Sequence, residues 1–291
     1  MKKCSYCGKE YPDNVLHCLI DEQPLLGEES KAVPREEPIV AHATLQSIDT
    51  SNNKSIISQW NDRQMRVLEL TLVCAVAFGG SILVSGYVLI FGNSSVSGWG
   101  SSGALQWLHS LFNESISLVL LFYVLSRRGK SLSSLGLPRE WKDIARSIAL
   151  LFGGWLAVYA VYAVLYLSGL VALDHNASNM RVADTLFGGG VFPVTFLFLF
   201  LNPFFEELIV RAYLMTEIRQ LTNSASKAII LSTVLQTSYH LYQGVPLALS
   251  NGALFLVFSI YYTKTNRIVP IILAHLYCDV GSTLWFLLQQ S

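Results

Sequence analysis

Charge is scarce in this chain, and so is any apolar leader at its start. Only 14% of the 291 residues are Asp, Glu, Lys or Arg, against about 25% in ordinary soluble domains. What charge there is sits unevenly: residues 1–66 hold 18 of the 40 charged side chains. That leaves the rest of the chain about 10% charged, which excludes a single soluble globule. Twenty basic and 20 acidic residues cancel, so no excess of positive charge argues for a nucleic-acid partner. No signal peptide is visible, because the first long apolar run begins near Val67 and not within the first 15–30 residues or so. HExxH and GxGD are both missing, which excludes two familiar designs for cutting peptides inside a membrane.

Long apolar runs are what the chain has in quantity. A helix needs roughly 20 apolar residues to cross a bilayer, and candidates fall at about 67–91, 104–125, 145–171, 191–214, 227–243, 246–263 and 268–288. These lengths predict an all-α, polytopic membrane bundle of about seven spans and not a β-barrel. Lys and Arg gather in alternate connections: Arg63 and Arg66, then Arg127 through Arg146, then Arg219 and Lys227, then Lys264 and Arg267. The opposite connections hold only Arg181. This bias predicts a cytoplasmic N-terminus and, with seven spans, an external C-terminus. Trp60, Trp99, Trp107 and Trp155 lie near span ends, where interfacial anchoring suits them.

Three of the five cysteines are in the first eighteen residues. Cys4-x2-Cys7, followed ten residues later by Cys18-x2-Asp21, has the spacing of a zinc-ribbon-like head at 1–26. Asp21 stands where a fourth cysteine would, and His17 is the other candidate ligand. Such a unit would hold structural zinc and dock a substrate or protein partner. Residues 27–60, rich in Glu, Ser, Pro and Asn, read as a flexible linker, and 61–291 as the membrane domain, with a motif core at about 190–285. Cys74 and Cys278 stand alone in apolar runs, as small buried hydrophobes do.

Ionisable side chains inside spans cost about 2.5–3.5 kcal/mol or more and mark functional sites. The fourth span carries Glu206, Glu207 and Arg211; the fifth carries His240; the seventh carries His275 and Asp279. Glu207 and Arg211 are four apart and can pair along one helix face. Glu206 is turned about 100° from Glu207, so one carboxylate is tied to the arginine and the other is free for chemistry. His275 and Asp279 also share a face. Two chemistries fit. Glu206, His240 and His275 could hold a catalytic zinc that activates water, or Glu206 could act as general base on unligated water, with His240, His275 and Asp279 orienting it. Glu114, near the middle of the second span, is either a helix-packing carboxylate or part of a cavity wall.

Glu206-Glu207-x3-Arg211, His240-Leu241-Tyr242-Gln243-Gly244 and His275-x3-Asp279, in that order on separate spans, resemble the motif set of the CAAX-protease and bacteriocin-processing family (CPBP, also called Abi). The resemblance covers about 120–290, with Gly136-Leu137 after the basic loop. It implies an intramembrane endopeptidase, of glutamate or metal-dependent type, acting on membrane-associated peptide substrates such as lipidated CAAX sequences or bacteriocin precursors. It places the protein in a bacterial cytoplasmic membrane. Glu206 would be the water-activating base, with Glu207 and Arg211 completing the first motif. His240 would be the second-motif histidine, and His275 with Asp279 the third motif. Three positions depart from the family pattern: Gln236 where Phe is usual, Val210-Arg211-Ala212 where Phe-Arg-Gly is frequent, and Asp279 where many members have Asn. The competing expectation is a catalytically silent membrane adaptor that binds a partner through the head.

Overall fold

The structure, a computed structural model, describes residues 2–3, 10–12, 15, 61–91, 103–137, 140–171 and 193–290. It divides into two compact units, 1–60 and 61–291. In the first, β1 (Lys2–Lys3) and β2 (Glu10–Tyr11) pair antiparallel, with Lys2 opposite Tyr11. Cys4, Cys7, His17, Cys18 and Asp21, together with the 27–60 segment, lie outside the described residues.

The second unit is an all-α polytopic bundle. Its helices are α1 (Asp62–Phe91), α2 (Gly103–Arg127), α3 (Lys142–Leu167), α4 (Pro193–Glu207), α5 (Thr216–Thr222), α6 (Ala225–Tyr239), α7 (Val245–Thr265) and α8 (Val269–Gln290). A π-helical segment, Leu208–Met215, joins α4 to α5 without a break. Local sequence sets several boundaries. Asn61 and Gln64 cap α1 reciprocally: Asn61 Oδ1 accepts the Gln64 amide at 2.8 Å, and Gln64 Oε1 accepts the Asn61 amide at 2.9 Å. That is a capping box, closing two amides the first turn cannot satisfy. Gly129, at φ +64°, lets the chain reverse after α2 so that the Lys130 amide bonds Leu125 O. Asn223 and Asn266 take the same left-handed conformation after α5 and α7.

Six helices among the described residues are long and apolar enough to cross a membrane, counting Pro193–Thr222 as one. The sequence predicts about seven spans, and the difference lies at 227–243. The fifth predicted span is α6, which has 15 residues and is about 22 Å long. A 3-10 turn at Leu241–Gln243 continues it to the start of α7. The fourth predicted span is in turn too short at 191–214, because the helical path runs on to Thr222. Apolar side chains face outward as lipid contact requires: Leu83, Ile90, Phe152, Leu156 and Leu167 are each more than 70% exposed. Trp107 is not the interfacial anchor its position predicted. It is buried, with its ring 4.8 Å from that of Phe198.

The packing is mostly α3 on α7 and α8, α6 on α7, and α2 on α4. At one end of the bundle the basic residues that bias the connections are engaged in ion pairs. Arg128 bonds both Glu69 and Glu217 (2.9 Å to the latter), Arg127 reaches Glu69 at 3.0 Å, and Lys130 reaches Glu217 at 3.0 Å. Glu69 and Glu217 are buried. In a second network, Asp143 receives Arg146 at 2.8 Å and Arg267 at 2.9 Å, with Glu140 bonded to both arginines. The hydrogen bond from Arg146 holds the Glu140 carboxyl below the usual carboxylate range. Gly136, at φ +79°, accepts the Ile268 amide at 3.2 Å, and a Cβ there would collide with Asn266 O. The loop after α2 is thereby joined to the start of α8 through a position only glycine fits.

Breaking the first network should be costly. Arg128→Leu leaves two buried carboxylates with only the partly exposed Arg127 and Lys130, and about 3 kcal/mol of stability should be lost. Thermal unfolding in detergent would read this as a clear fall in Tm; an unchanged Tm would mean the pairs contribute little.

Candidate active site

The carboxylate pair stands where the helix changes its winding. Pro203 lies inside α4; it lacks an amide hydrogen and crowds the carbonyl one turn back, which loosens regular winding. Five residues on, Leu208–Met215 is π-helical and wholly buried. Such π turns are rare and concentrate at functional sites. Here the segment follows directly on Glu206 and Glu207 and carries Arg211.

The two carboxylates have different surroundings. Glu207 is fully buried. Its Oε2 is 3.3 Å from Arg211 Nε, an ion-pair contact outside hydrogen-bond geometry, and its Oε1 is 2.8 Å from His275 Nδ1. Arg211, also fully buried, donates to Phe255 O at 3.4 Å and lies over the Phe255 ring. Glu206 has no cation bonded to it among the described residues. Its Oε2 accepts Gln236 Nε2 at 2.7 Å and Tyr239 OH at 2.8 Å, both from α6. One carboxylate is neutralised by ion pairs, and the other is held by neutral donors through a single oxygen.

The imidazoles are oriented by their Nδ1 atoms. His275 Nδ1 donates to Glu207, and its Nε2 is 3.7 Å from Asp279 Oδ1. Asn202, one residue before Pro203, donates to Asp279 Oδ2 at 3.4 Å. His240 caps the end of α6 with Nδ1 2.9 Å from Gln236 O. A carbonyl only accepts, so His240 Nδ1 carries the hydrogen and Nε2 remains as the acceptor of the neutral ring. The ring stands edge-on to Phe255 at 5.0 Å and interacts electrostatically with Glu206, His275 and Arg211.

All six residues singled out in the sequence therefore lie in or beside one buried polar region. Glu207, Arg211, His275 and Asp279 form a chain of contacts, whereas Glu206 and His240 join through α6. Glu206 is about 24 Å from the end of α5 and His240 about 22 Å from the start of α6 by helical rise, so the two lie at matching depths. Among the described residues no three His, Cys, Asp or Glu side chains are grouped to hold a metal ion. Oε2 of Glu206 and both histidine Nδ1 atoms already have protein partners. Gln236, Tyr239 and Asn202 were not singled out as catalytic from sequence. Gln236 was visible only as a departure from the family pattern, at the residue four before His240.

Buried acids, imidazoles and an arginine are thus gathered inside a bundle of membrane-length helices. Residues 188–281 match the family of type II CAAX prenyl endopeptidase Rce1-like proteins, and this stretch contains all six site residues. The likeness covers about a third of the chain, and it is to a family of membrane endopeptidases. No curated protein and no solved structure matches the chain.

Proposed function

We propose that this integral membrane protein is an endopeptidase in which Glu206 activates water to hydrolyse a peptide bond of a membrane-associated, lipid-modified peptide of the CAAX type. The observation that carries the reading is the asymmetry of the Glu206 carboxylate. Oε2 is fixed by Gln236 and Tyr239, while Oε1 accepts no hydrogen bond from the described residues. A carboxylate so held is preorganised to take a proton at Oε1.

In this mechanism water is held between Glu206 Oε1 and His240 Nε2, each accepting one of its hydrogens. Glu206 takes the first proton as the water oxygen attacks the carbonyl carbon. It returns that proton to the departing nitrogen as the C–N bond breaks. Glu207 orients the His275 ring, and Arg211 compensates the buried negative charge beside it. The steps above use the chain's own side chains and water alone. The basic residues gathered at one end of the bundle support a cytoplasmic location for that end and for the N-terminus, in a bacterial cytoplasmic membrane.

The direct test compares protein termini by mass spectrometry in cells making equal membrane levels of wild type or Glu206→Gln. Specific new termini with wild type alone support the reading and reveal the substrate sequences. Identical profiles, with a deletion phenotype intact, overturn it in favour of a silent adaptor. A smaller effect is expected at the residues that hold the base. Tyr239→Phe or Gln236→Leu removes one of two donors to a charged oxygen, a loss of about 1.5–3 kcal/mol, and should slow cleavage roughly 10- to 100-fold in initial-rate assays.

A further inference from the structure

Glu114 has no place in the mechanism above, yet it is buried at the level of the site. It lies near the middle of α2, about 16 Å from the helix start, on a helix packed against α4. Its side chain is 4% exposed. It interacts electrostatically with Glu206 and Asp279 and with His275, so it faces the same polar region from the α2 side. Its Oε2 is shielded and has no hydrogen-bond partner among the described residues.

The neighbours explain why the chain itself leaves that oxygen unsatisfied. Glu206 and Asp279 are acceptors. His275 spends Nδ1 on Glu207 and turns Nε2 toward Asp279. Asn113, adjacent in sequence, donates instead to Ala77 O at 3.4 Å. A buried acceptor without a donor is destabilising, and a packing role would be served better by an apolar side chain. The missing group is a hydrogen-bond donor that enters from outside the chain, and a peptide substrate brings such donors as backbone N–H groups.

We infer that Glu114 is a substrate-contacting residue whose Oε2 accepts a hydrogen bond from a backbone N–H of the bound peptide, from a helix other than the one that supplies Gln236 and Tyr239. The inference rests on the proteolytic reading of the site and names a contact outside the stretch that matches the endopeptidase family. Because the contact exists in bound substrate and transition state alike, its loss appears in KM and not in kcat.

The experiment uses full-length wild type, Glu206→Gln, Glu114→Leu and Glu114→Gln in lipid nanodiscs, with a quenched fluorogenic peptide ending in an isoprenylated CAAX sequence as probe. Glu114→Leu should raise KM about tenfold or more with kcat within about threefold, and should be at least as stable to heat as wild type. Glu114→Gln keeps a carbonyl oxygen and should recover most of the affinity. An unchanged KM in Glu114→Leu overturns the inference, and so does a fall in kcat alone. Should Glu114→Leu not fold, Glu114→Ala is judged by the same criteria; if no neutral variant folds, Glu114 is structural and the inference is wrong. If wild type cleaves the probe no faster than Glu206→Gln, the proteolytic reading fails separately. Binding is then read from the peptide-induced rise in unfolding temperature of Glu206→Gln against Glu206→Gln/Glu114→Leu. A smaller rise in the double variant supports the contact, and equal or absent rises overturn it.

Discussion

Glu206→Gln should lower the rate of peptide cleavage by about a thousandfold or more while leaving a folded protein. A positioned general base contributes about 10²–10⁴-fold, and an amide oxygen is too weakly basic to replace a carboxylate. The fold should survive because of what surrounds this residue. The bonded partners of Glu206 are the neutral side chains of Gln236 and Tyr239, so removing its charge strands no bonded cation. The amide oxygen can still accept the Tyr239 hydroxyl. Glu207 is different, since Arg211 and His275 both depend on it. Steady-state rates in nanodiscs, with equal amounts of folded protein checked by size-exclusion chromatography, decide the matter. A variant retaining a tenth of wild-type kcat would show that Glu206 is not the base. Equal loss in kcat and kcat/KM is the expected pattern, because the proton moves only in the transition state.

Much of this site could be read before the structure was known, because buried charge in an apolar chain is rare and must pair. The four-residue separation of Glu207 from Arg211 and of His275 from Asp279 announces shared helix faces, and the observed contacts follow those spacings. What sequence spacing could not convey is winding. Leu208–Met215 is as apolar as an α-helical span would be, and nothing in its residue types separates an i→i+5 pattern from an i→i+4 one. The end of the fourth span was misplaced for a related reason. Glu217 and Arg219 look like a solvated loop, yet Glu217 is buried and neutralised by Arg128 and Lys130. Ending that helix near 214 instead of at Thr222 places Glu206 too close to its end, and so too shallow to match His240. Tyr239 stayed hidden because an aromatic in an apolar run is ordinarily packing. Its ring does stack on Phe78 at 4.7 Å, and only its hydroxyl belongs to the site.

Arg211→Met should be the most damaging substitution for the fold itself, at about 3–5 kcal/mol. The guanidinium and the Glu207 carboxylate are both fully buried, so each depends on the other for its charge. Removing the arginine leaves Glu207 with His275 as its remaining bonded partner and also takes away the contacts to Phe255 O and the Phe255 ring. Arg211→Lys should not restore the site. An ammonium on a narrower stem cannot lie across the ring and reach two acceptors in the guanidinium manner. The double variant Glu207→Gln/Arg211→Met removes both charges and should regain part of the lost stability, because a matched apolar replacement of a buried pair is far less costly than half of one. It should still be inactive, since the neutral amide at position 207 would no longer hold His275 through a charged oxygen. Thermal unfolding and cleavage assays on the same three preparations separate these effects. If Arg211→Met unfolds at the wild-type temperature, the Glu207–Arg211 pair is not what holds the π-helical segment in place. A double variant with restored stability and restored cleavage would remove the Glu207–His275 contact from the mechanism.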